Sequence, residues 1–386
     1  MKILHVGPIR ATKTATGPNH SIRGLAHAQA QIGAKTAILT SVPLANGVEM
    51  EASPGVVMLG GPEAAHRNPW SISKAWIDMI ETKFGRPDIV NFHSTYDTFQ
   101  VALARKCRQA GWKYVVTPRG GMTLLAQHTK RLKKTLGNIL FFKSFVAGAD
   151  AIHALCDSEA EQIQKSFKVK RIFVVPNGAE DDLLNAAERL KPADMGYFKR
   201  GNELLLGFVG RIDMNHKGLD LLLKAMGQLK RNSGTSFCRL LVVGPFRTAK
   251  DEKLFRHLMQ YHKLHDDIEL LGPKFGDEKL SYYLACDVFV HTSRFEGMPM
   301  AVIEAMAVGK PCLATPGTNM SDVVCRGGGW ECAPSPESIA EKLEQIYQKR
   351  DSLIERGKQS KKLMQTEFTW KIVAEKTIHE YQNLIN

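Results

Sequence analysis

Apolar runs of four to six residues recur along this chain, and each is followed by sequence with helical spacing. Buried strands separated by helices mark a parallel sheet, because a parallel crossover needs a dozen or more residues and is usually a helix. The first series comprises Ile3–Val6, Thr36–Leu39, Val56–Leu59, Ile89–Phe92, Tyr114–Thr117 and Ala151–Ala154. A second begins with Leu204–Val209 and continues through Arg239–Val243, Ile268–Leu271, Val288–His291 and Pro311–Ala314. Two series predict an α/β protein of two Rossmann-like β/α/β domains. The 386 residues, 44% of them hydrophobic, are enough to bury a core in each. The charged, less periodic stretch Glu180–Lys199 offers the join, giving domains over 1–190 and 191–365 with ligand expected in the cleft between them.

Two carboxylates mark the chemistry. Asp287–Ser293 reads as a strand running into polar residues, and the spacing turns helical after Pro299, so Glu296 sits in a turn and Glu304 inside the following helix. Backbone N–H groups from Gly297 to Met300, through Met298 but not Pro299, are available at that helix start for an anionic or hydroxyl-rich ligand. A carboxylate beside them can hold sugar hydroxyls. Positive charge comes from a second cluster, Gly210-Arg211 and Lys217-Gly218, between the strand Leu204–Val209 and a helix beginning near Leu219. A strand, a glycine and then cations before a helix is how an α/β sheet presents charge to a phosphate at its carboxyl edge. Arg211 and Lys217 can neutralise a diphosphate leaving group.

Taken together, Gly210-Arg211, Lys217-Gly218, Glu296-Gly297-Met298-Pro299-Met300 and Glu304-Ala305-Met306 resemble the retaining glycosyltransferases of family 4. Pro176-Asn177-Gly178 and Gly309-Lys310-Pro311 extend the resemblance over nearly the whole chain. It implies the GT-B architecture, two Rossmann-like domains facing each other across a cleft. The last helix, here residues 366–386, would cross back to the first domain. It also implies a nucleotide-sugar donor bound by the second domain, with Glu304 on the ribose, Arg211 and Lys217 on the diphosphate, and Glu296 on the sugar hydroxyls. The acceptor hydroxyl then attacks from the face the diphosphate leaves, and a leaving phosphate oxygen takes its proton. No protein nucleophile is implied.

The same resemblance carries residues of the first domain. Gly17 matches a glycine loop that lets the backbone approach the donor, although the next position is Pro18, which has no N–H. His93 matches a histidine kept near the donor sugar. Arg119, in Pro118-Arg119-Gly120, matches a segment found in part of the family and is open to two readings. With Asn19 it could meet an acceptor phosphate, or it could brace its loop.

Between Thr98 and Ala149 the chain has no Asp or Glu but ten basic residues, a large share of its net charge of +13. Leu132, Leu136, Ile139 and Leu140 fall on one helical face, Lys130, Lys133 and Lys134 towards another, with Arg131 between and Phe141 and Phe142 following. This pattern predicts docking on the anionic inner surface of a membrane, at about 1 kcal/mol per basic residue.

Other classes are disfavoured. Neither Gly7–Gly17 nor Gly207–Gly210 completes a dinucleotide fingerprint, and no nucleic-acid reader motif accompanies the basic segment. There is no Asp-x-Asp, so no metal or other cofactor is expected. Seven cysteines without a Cys-x-x-Cys pair favour reduced thiols. No signal peptide and no span of about 18 apolar residues is legible. The expectation is a cytoplasmic enzyme, peripheral at the inner face of the plasma membrane, that extends a lipid-linked glycan as bacterial capsule, exopolysaccharide or lipopolysaccharide transferases do. A transferase for a soluble acceptor and a non-catalytic sugar-nucleotide binder are the alternatives.

Overall fold

The computed structural model describes residues 1–7, 17–41, 49–60, 72–128, 135–233 and 237–386. They form two compact units, Met1–Gly178 with Trp370–Asn386, and Ala179–Thr369.

Unit 1 is built on an eight-stranded sheet of β1 (Lys2–Gly7), β2 (Lys35–Thr40), β3 (Glu49–Ser53), β4 (Val56–Gly60), β5 (Ile89–His93), β6 (Lys113–Thr117), β7 (Ala151–Ala154) and β8 (Ile172–Val174). The order is β3-β4-β2-β1-β5-β6-β7-β8, parallel except for the antiparallel edge strand β3. Strand order reverses between β1 and β5, where Val6 lies beside Phe92. Leu4, Val6, Phe92, Val116 and Ile152 of the sheet pack with Trp76, Ile80, Leu103 and Phe145 of the helices. Each such burial contributes roughly 1.5–3 kcal/mol. Helix Gly17–Gln31 packs on the C-terminal helix Trp370–Ile385. Gly24 permits the approach, since a Cβ there would lie 2.4 Å from the Trp370 indole.

Unit 2 carries six parallel strands, β9 (Leu204–Val209), β10 (Cys238–Val243), β11 (Ile268–Gly272), β12 (Val288–His291), β13 (Cys312–Ala314) and β14 (Trp330–Glu331), in the order β11-β10-β9-β12-β13-β14. This is the doubly wound order, with its switch point between β9 and β12. Side chains of β9, β10 and β12 meet Leu222, Met226 and Leu343 from the flanking helices.

The units part at Gly178 and Ala179 rather than at residue 190. Ala179 donates its N–H to Phe368 O at 2.6 Å, and Leu183, Leu184 and Ala186 are buried in unit 2, so Glu180–Arg189 belongs to that unit rather than to a free connection. Strands β3 and β14 fall outside the expected series. One is an antiparallel edge and the other is two residues long, too short to carry a period.

Candidate active site

In unit 2 two loops leave the sheet at the switch point. After β9, Gly210 turns at φ 148° and Arg211 emerges exposed. The chain is then pinned back: Ile212 N donates to Pro245 O (2.8 Å), and Asp213 accepts from His216 N through Oδ1 (3.0 Å) and from Lys217 N through its carbonyl (2.9 Å). Gly218, at φ 65°, closes onto the loop after β12, where a Cβ would come within 1.9 Å of Thr292 O. Thr292 Oγ1 donates to Gly218 O (2.9 Å), Arg294 N to His216 O (3.0 Å), and the Arg294 guanidinium forks onto Asp220 at 2.7 and 2.8 Å. The two loops are therefore stitched into one rim.

Glu296 stands at its centre. Its carboxylate accepts from Lys217 Nζ and from Ser293 Oγ (3.0 Å), with His291 Nε2 at 3.5 Å and His216 Nε2 at 3.8 Å. Burial pushes this carboxyl's pKa up, but Lys217, His291 and His216 outweigh that and hold it well below the usual carboxylate range. Asn319, in the left-handed region at φ 55°, fixes the backbone by donating to Glu296 O (2.7 Å). The His291 ring is stacked between Phe208 and Phe289, with centroids at 5.8 and 5.9 Å, and its burial lowers its pKa. His216 stacks on Phe295 at 4.2 Å and is likewise lowered by burial.

Gly297 and Met298 are buried and Met300 is half-buried at the start of helix Met300–Ala307, which no side chain caps. One turn in, Glu304 receives Lys279 Nζ on both oxygens at 2.9 Å and Tyr283 O–H at 2.8 Å. Among the described residues three of its roughly four acceptor positions are thus occupied and one remains. Of the residues expected in this half, Lys217 and Glu296 touch. Arg211 lies on the same sheet edge with no hydrogen-bond partner among the described residues, and Glu304 is tethered to helix Gly276–Ala285.

The carboxyl edge of unit 1 carries a different set. His93, fully buried at the end of β5, has both ring nitrogens engaged: Nδ1 faces Arg119 Nε (3.3 Å) and Nη2 (3.1 Å), and Nε2 faces His5 Nδ1 (2.8 Å). Expected against a donor sugar, His93 here faces His5 and Arg119. The ring is closed in by neighbours and offers no free nitrogen. Burial first, then Arg119, His5 and His153, holds its pKa well below the usual value. Arg119, at φ 53°, also donates to Ser21 Oγ (2.6 Å) and Asn177 Oδ1 (3.1 Å). Gly17 is exposed at the first turn of its helix, and buried Asn19 accepts from Arg23 Nε at 3.1 Å.

Lys130, Arg131, Lys133 and Lys134 lie outside the described residues. After them in sequence, Leu136, Ile139 and Leu140 are 60%, 65% and 52% exposed. Phe142 is buried, its ring tucked edge-on against Tyr96 at 4.7 Å, and Phe141 packs on the core.

Sequence reasoning passed over His5, Gln29, Ser21 and Glu159 in unit 1, and His216, His291, Ser293, Lys279, Tyr283 and Asn319 in unit 2. For His5 and His291 a signal existed, a histidine inside an otherwise apolar strand. For the others none did, since a Ser or Lys in a loop or helix is unremarkable in sequence. Among the described residues no three His, Cys, Asp or Glu side chains converge as a metal-binding set, and no helix is long and apolar enough to cross a membrane.

Two family descriptions fit the chain, one on each unit. The "Glycosyl transferase 4-like domain" matches residues 16–178 and "Glycosyl transferases group 1" matches 195–363. An uncharacterized glycosyltransferase of Methanocaldococcus jannaschii is 26% identical over 256 residues, 64% of either chain. In fold, the chain is similar over 99% of its length to sucrose-phosphate synthase of Thermosynechococcus elongatus (98% of that chain, TM-score 0.78, 19% identity). It is similar over 99% to Anabaena HepE in complex with UDP and glucose (all of that chain, TM-score 0.72, 16% identity).

Proposed function

The chain is a glycosyltransferase of the GT-B fold, and from that premise we propose that it moves a sugar from a nucleotide-diphosphate donor to an acceptor hydroxyl, with retention of configuration and without a metal ion. Unit 2 holds the donor. The observation that carries this reading is the Lys217–Glu296 contact at the switch point, with exposed Arg211 on the same edge. Arg211, Lys217 and the uncapped amides from Gly297 to Met300 receive the diphosphate, doing the charge stabilisation a metal otherwise provides. Glu296, held ionised, accepts donor hydroxyls and supports positive charge at the anomeric carbon. Glu304, oriented by Lys279 and Tyr283, keeps an acceptor position for a ribose hydroxyl. The bond from the anomeric carbon to the diphosphate breaks, the bond to the acceptor oxygen forms, and the acceptor's proton leaves on the phosphate oxygen. Unit 1 holds the acceptor, with Gly17 at the first turn of its helix, and His93 acts by positioning Arg119.

For the acceptor we favour a glycan on a lipid carrier, presented at the inner face of the plasma membrane. Exposed Leu136, Ile139 and Leu140 follow in sequence, after Thr135, on the basic run Lys130–Lys134. A small soluble acceptor is the second reading, favoured by the whole-length likeness to sucrose-phosphate synthase. A thermal-shift panel of UDP-, GDP-, ADP- and dTDP-sugars tests the donor half, since a ligand at a hundred times its Kd stabilises by about 2.7 kcal/mol. A flat panel would remove the donor assignment. Replacing Leu136, Ile139 and Leu140 together by Ser should release the protein from anionic vesicles, and unchanged cosedimentation would leave the soluble acceptor.

A further inference from the structure

Arg119 is the one feature of unit 1 that the donor chemistry leaves unexplained. It follows directly on Thr117-Pro118 at the end of β6 and holds a left-handed backbone, φ 53°, rare for a residue with a side chain and most often kept where function needs it. That backbone turns the guanidinium onto the strand-order reversal between β1 and β5. There Nη1 donates to Ser21 Oγ and Asn177 Oδ1, and Nε and Nη2 share His93 Nδ1. The acceptors are a hydroxyl, an amide oxygen and an imidazole, and among the described residues none is a carboxylate.

The histidines show that this cation has no counter-charge through the hydrogen-bond line behind it. A guanidinium can only donate, so His93 Nδ1 is the bare nitrogen and Nε2 carries the proton. Nε2–H then donates to His5 Nδ1, and His5 Nε2–H donates to Gln29 Oε1 at 2.8 Å. Every member of the line is neutral. The acid that acts on Arg119 from nearby is Glu159, and its two oxygens are taken by Gly120 N (2.6 Å) and Leu155 N (2.8 Å). A guanidinium so enclosed and so oriented, with one Nη2 N–H unassigned among the described residues, is costly unless an anion completes it.

Resting on the transferase reading, we infer that the carboxyl edge of unit 1 is a receptor for a phosphate group carried by the acceptor, with Arg119 as its cation and His93, Ser21 and Asn177 as the frame that aims it. The phosphate takes the one Nη2 N–H left over, a charge-assisted hydrogen bond to a cation that has no carboxylate in contact among the described residues. It could belong to a sugar phosphate or to the diphosphate of a lipid carrier, and the chemistry at Arg119 is the same for both.

Inorganic phosphate titrated calorimetrically into the full-length protein tests this. In Lys217→Ala, which disables the donor's phosphate site, a phosphate site should persist. Adding Arg119→Met should weaken it roughly tenfold to a hundredfold. Because Met also abandons Ser21 and Asn177, Arg119→Lys is measured beside it and should bind at intermediate strength, keeping the charge without the fork. In the Lys217→Ala protein, phosphate should also move the imidazole 15N signals of His93, which donor-site binding alone would not do. Turnover of a hexose phosphate and of a polyprenyl-diphosphate sugar, each against its unphosphorylated counterpart, identifies the source. In whichever pair is turned over, the phosphate-bearing acceptor should lose its advantage in Arg119→Met. Unchanged phosphate affinity in Arg119→Met, or a parallel loss of nucleotide-sugar affinity, would overturn the proposal, the second by placing Arg119 on the donor. Should no nucleotide sugar bind the wild-type protein while the Arg119 phosphate site remains, the transferase reading fails and the receptor stands.

Discussion

The two sheet edges solve opposite electrostatic problems. In unit 2 the acids at the edge have matching cations: Glu296 has Lys217, Glu304 has Lys279, and Asp220 has Arg294. In unit 1 one guanidinium is framed by His93, His5 and Gln29 with no carboxylate in contact among the described residues. A neutralised rim can exchange a partner for a ligand of either sign, and on the proposed donor reading Lys217 turns to a diphosphate while Glu296 turns to hydroxyls. A framed, unmatched cation selects for an anion. Similar folds with parallel strands and a reversal in strand order thus carry different ligand preferences, because preference lies in the loops after the strands rather than in the sheet.

The largest expected effect separates the edges by chemistry. Glu296→Gln keeps the shape and removes the charge that orients the donor and answers Lys217, so kcat should fall about 10²–10³-fold, or roughly 2.7–4 kcal/mol. His93→Gln, which disturbs only the frame of Arg119, should cost no more than about tenfold, and chiefly in acceptor KM. Steady-state kinetics of both variants decide this. Equal losses in kcat would erase the distinction between a group that touches the donor and one that aims another residue.

Acidification gives the next effect. Burial lowers the pKa of His5 from 6.5 to about 4 and of His153 from 6.5 to about 3. The unfolded chain therefore binds more protons in that window, and the stability these neutral rings contribute is complete above pH 6.5 and lost as pH falls towards 4. For His5 alone the loss is on the order of 3 kcal/mol. Glu296 is shifted down instead, so its contribution is complete above the usual carboxyl range and is lost only at pH well below it. His216 and His291 are lowered as well, but the negative charge of Glu296 opposes that shift in both. Hydrogen exchange followed from pH 7 to 4.5 should show β1, β5 and β7 losing protection before β9 and β12. Simultaneous loss would mean the histidine line is no weaker to acid than the paired rim.

Much of this contrast could be read in the sequence on one side only. Strands with continuous apolar runs, such as Leu204–Val209, and loops whose Arg, Lys and Glu stand next to glycines were legible, because burial and charge are local properties of composition. That Lys217 meets Glu296 came only with the structure, which sets β9 beside β12 and so brings the loops after them together. The unit 1 edge was not legible. His93 was picked out as a site residue, but its partners His5, Gln29 and Ser21 come from a strand and a helix where each has a plain packing explanation. Only the pairing of β1 with β5 brings the two imidazoles to 2.8 Å. Register, tautomer and the left-handed turn at Arg119 are consequences of tertiary structure, and no short-range pattern carries them. The unit boundary failed for a related reason: Glu180–Arg189 is charged enough to read as a linker, yet its few apolar residues suffice to pack it on unit 2.

The smallest effect tests whether matching, rather than the number of hydrogen bonds, sets the character of the donor rim. Tyr283 is fully buried and its O–H donates to Glu304 Oε2, while Lys279 already reaches both oxygens of that carboxylate. In Tyr283→Phe the neutral donor disappears and the cation stays, so Glu304 remains aimed by Lys279. Stability should drop by about 1.5 kcal/mol, near the lower end for a hydrogen bond to a charged group. Nucleotide-sugar KM should rise only a few-fold with kcat unchanged. A KM rise of a hundredfold would show that Tyr283 rather than Lys279 governs how Glu304 meets the ribose, and that the paired rim of unit 2 depends on a neutral frame just as Arg119 does in unit 1.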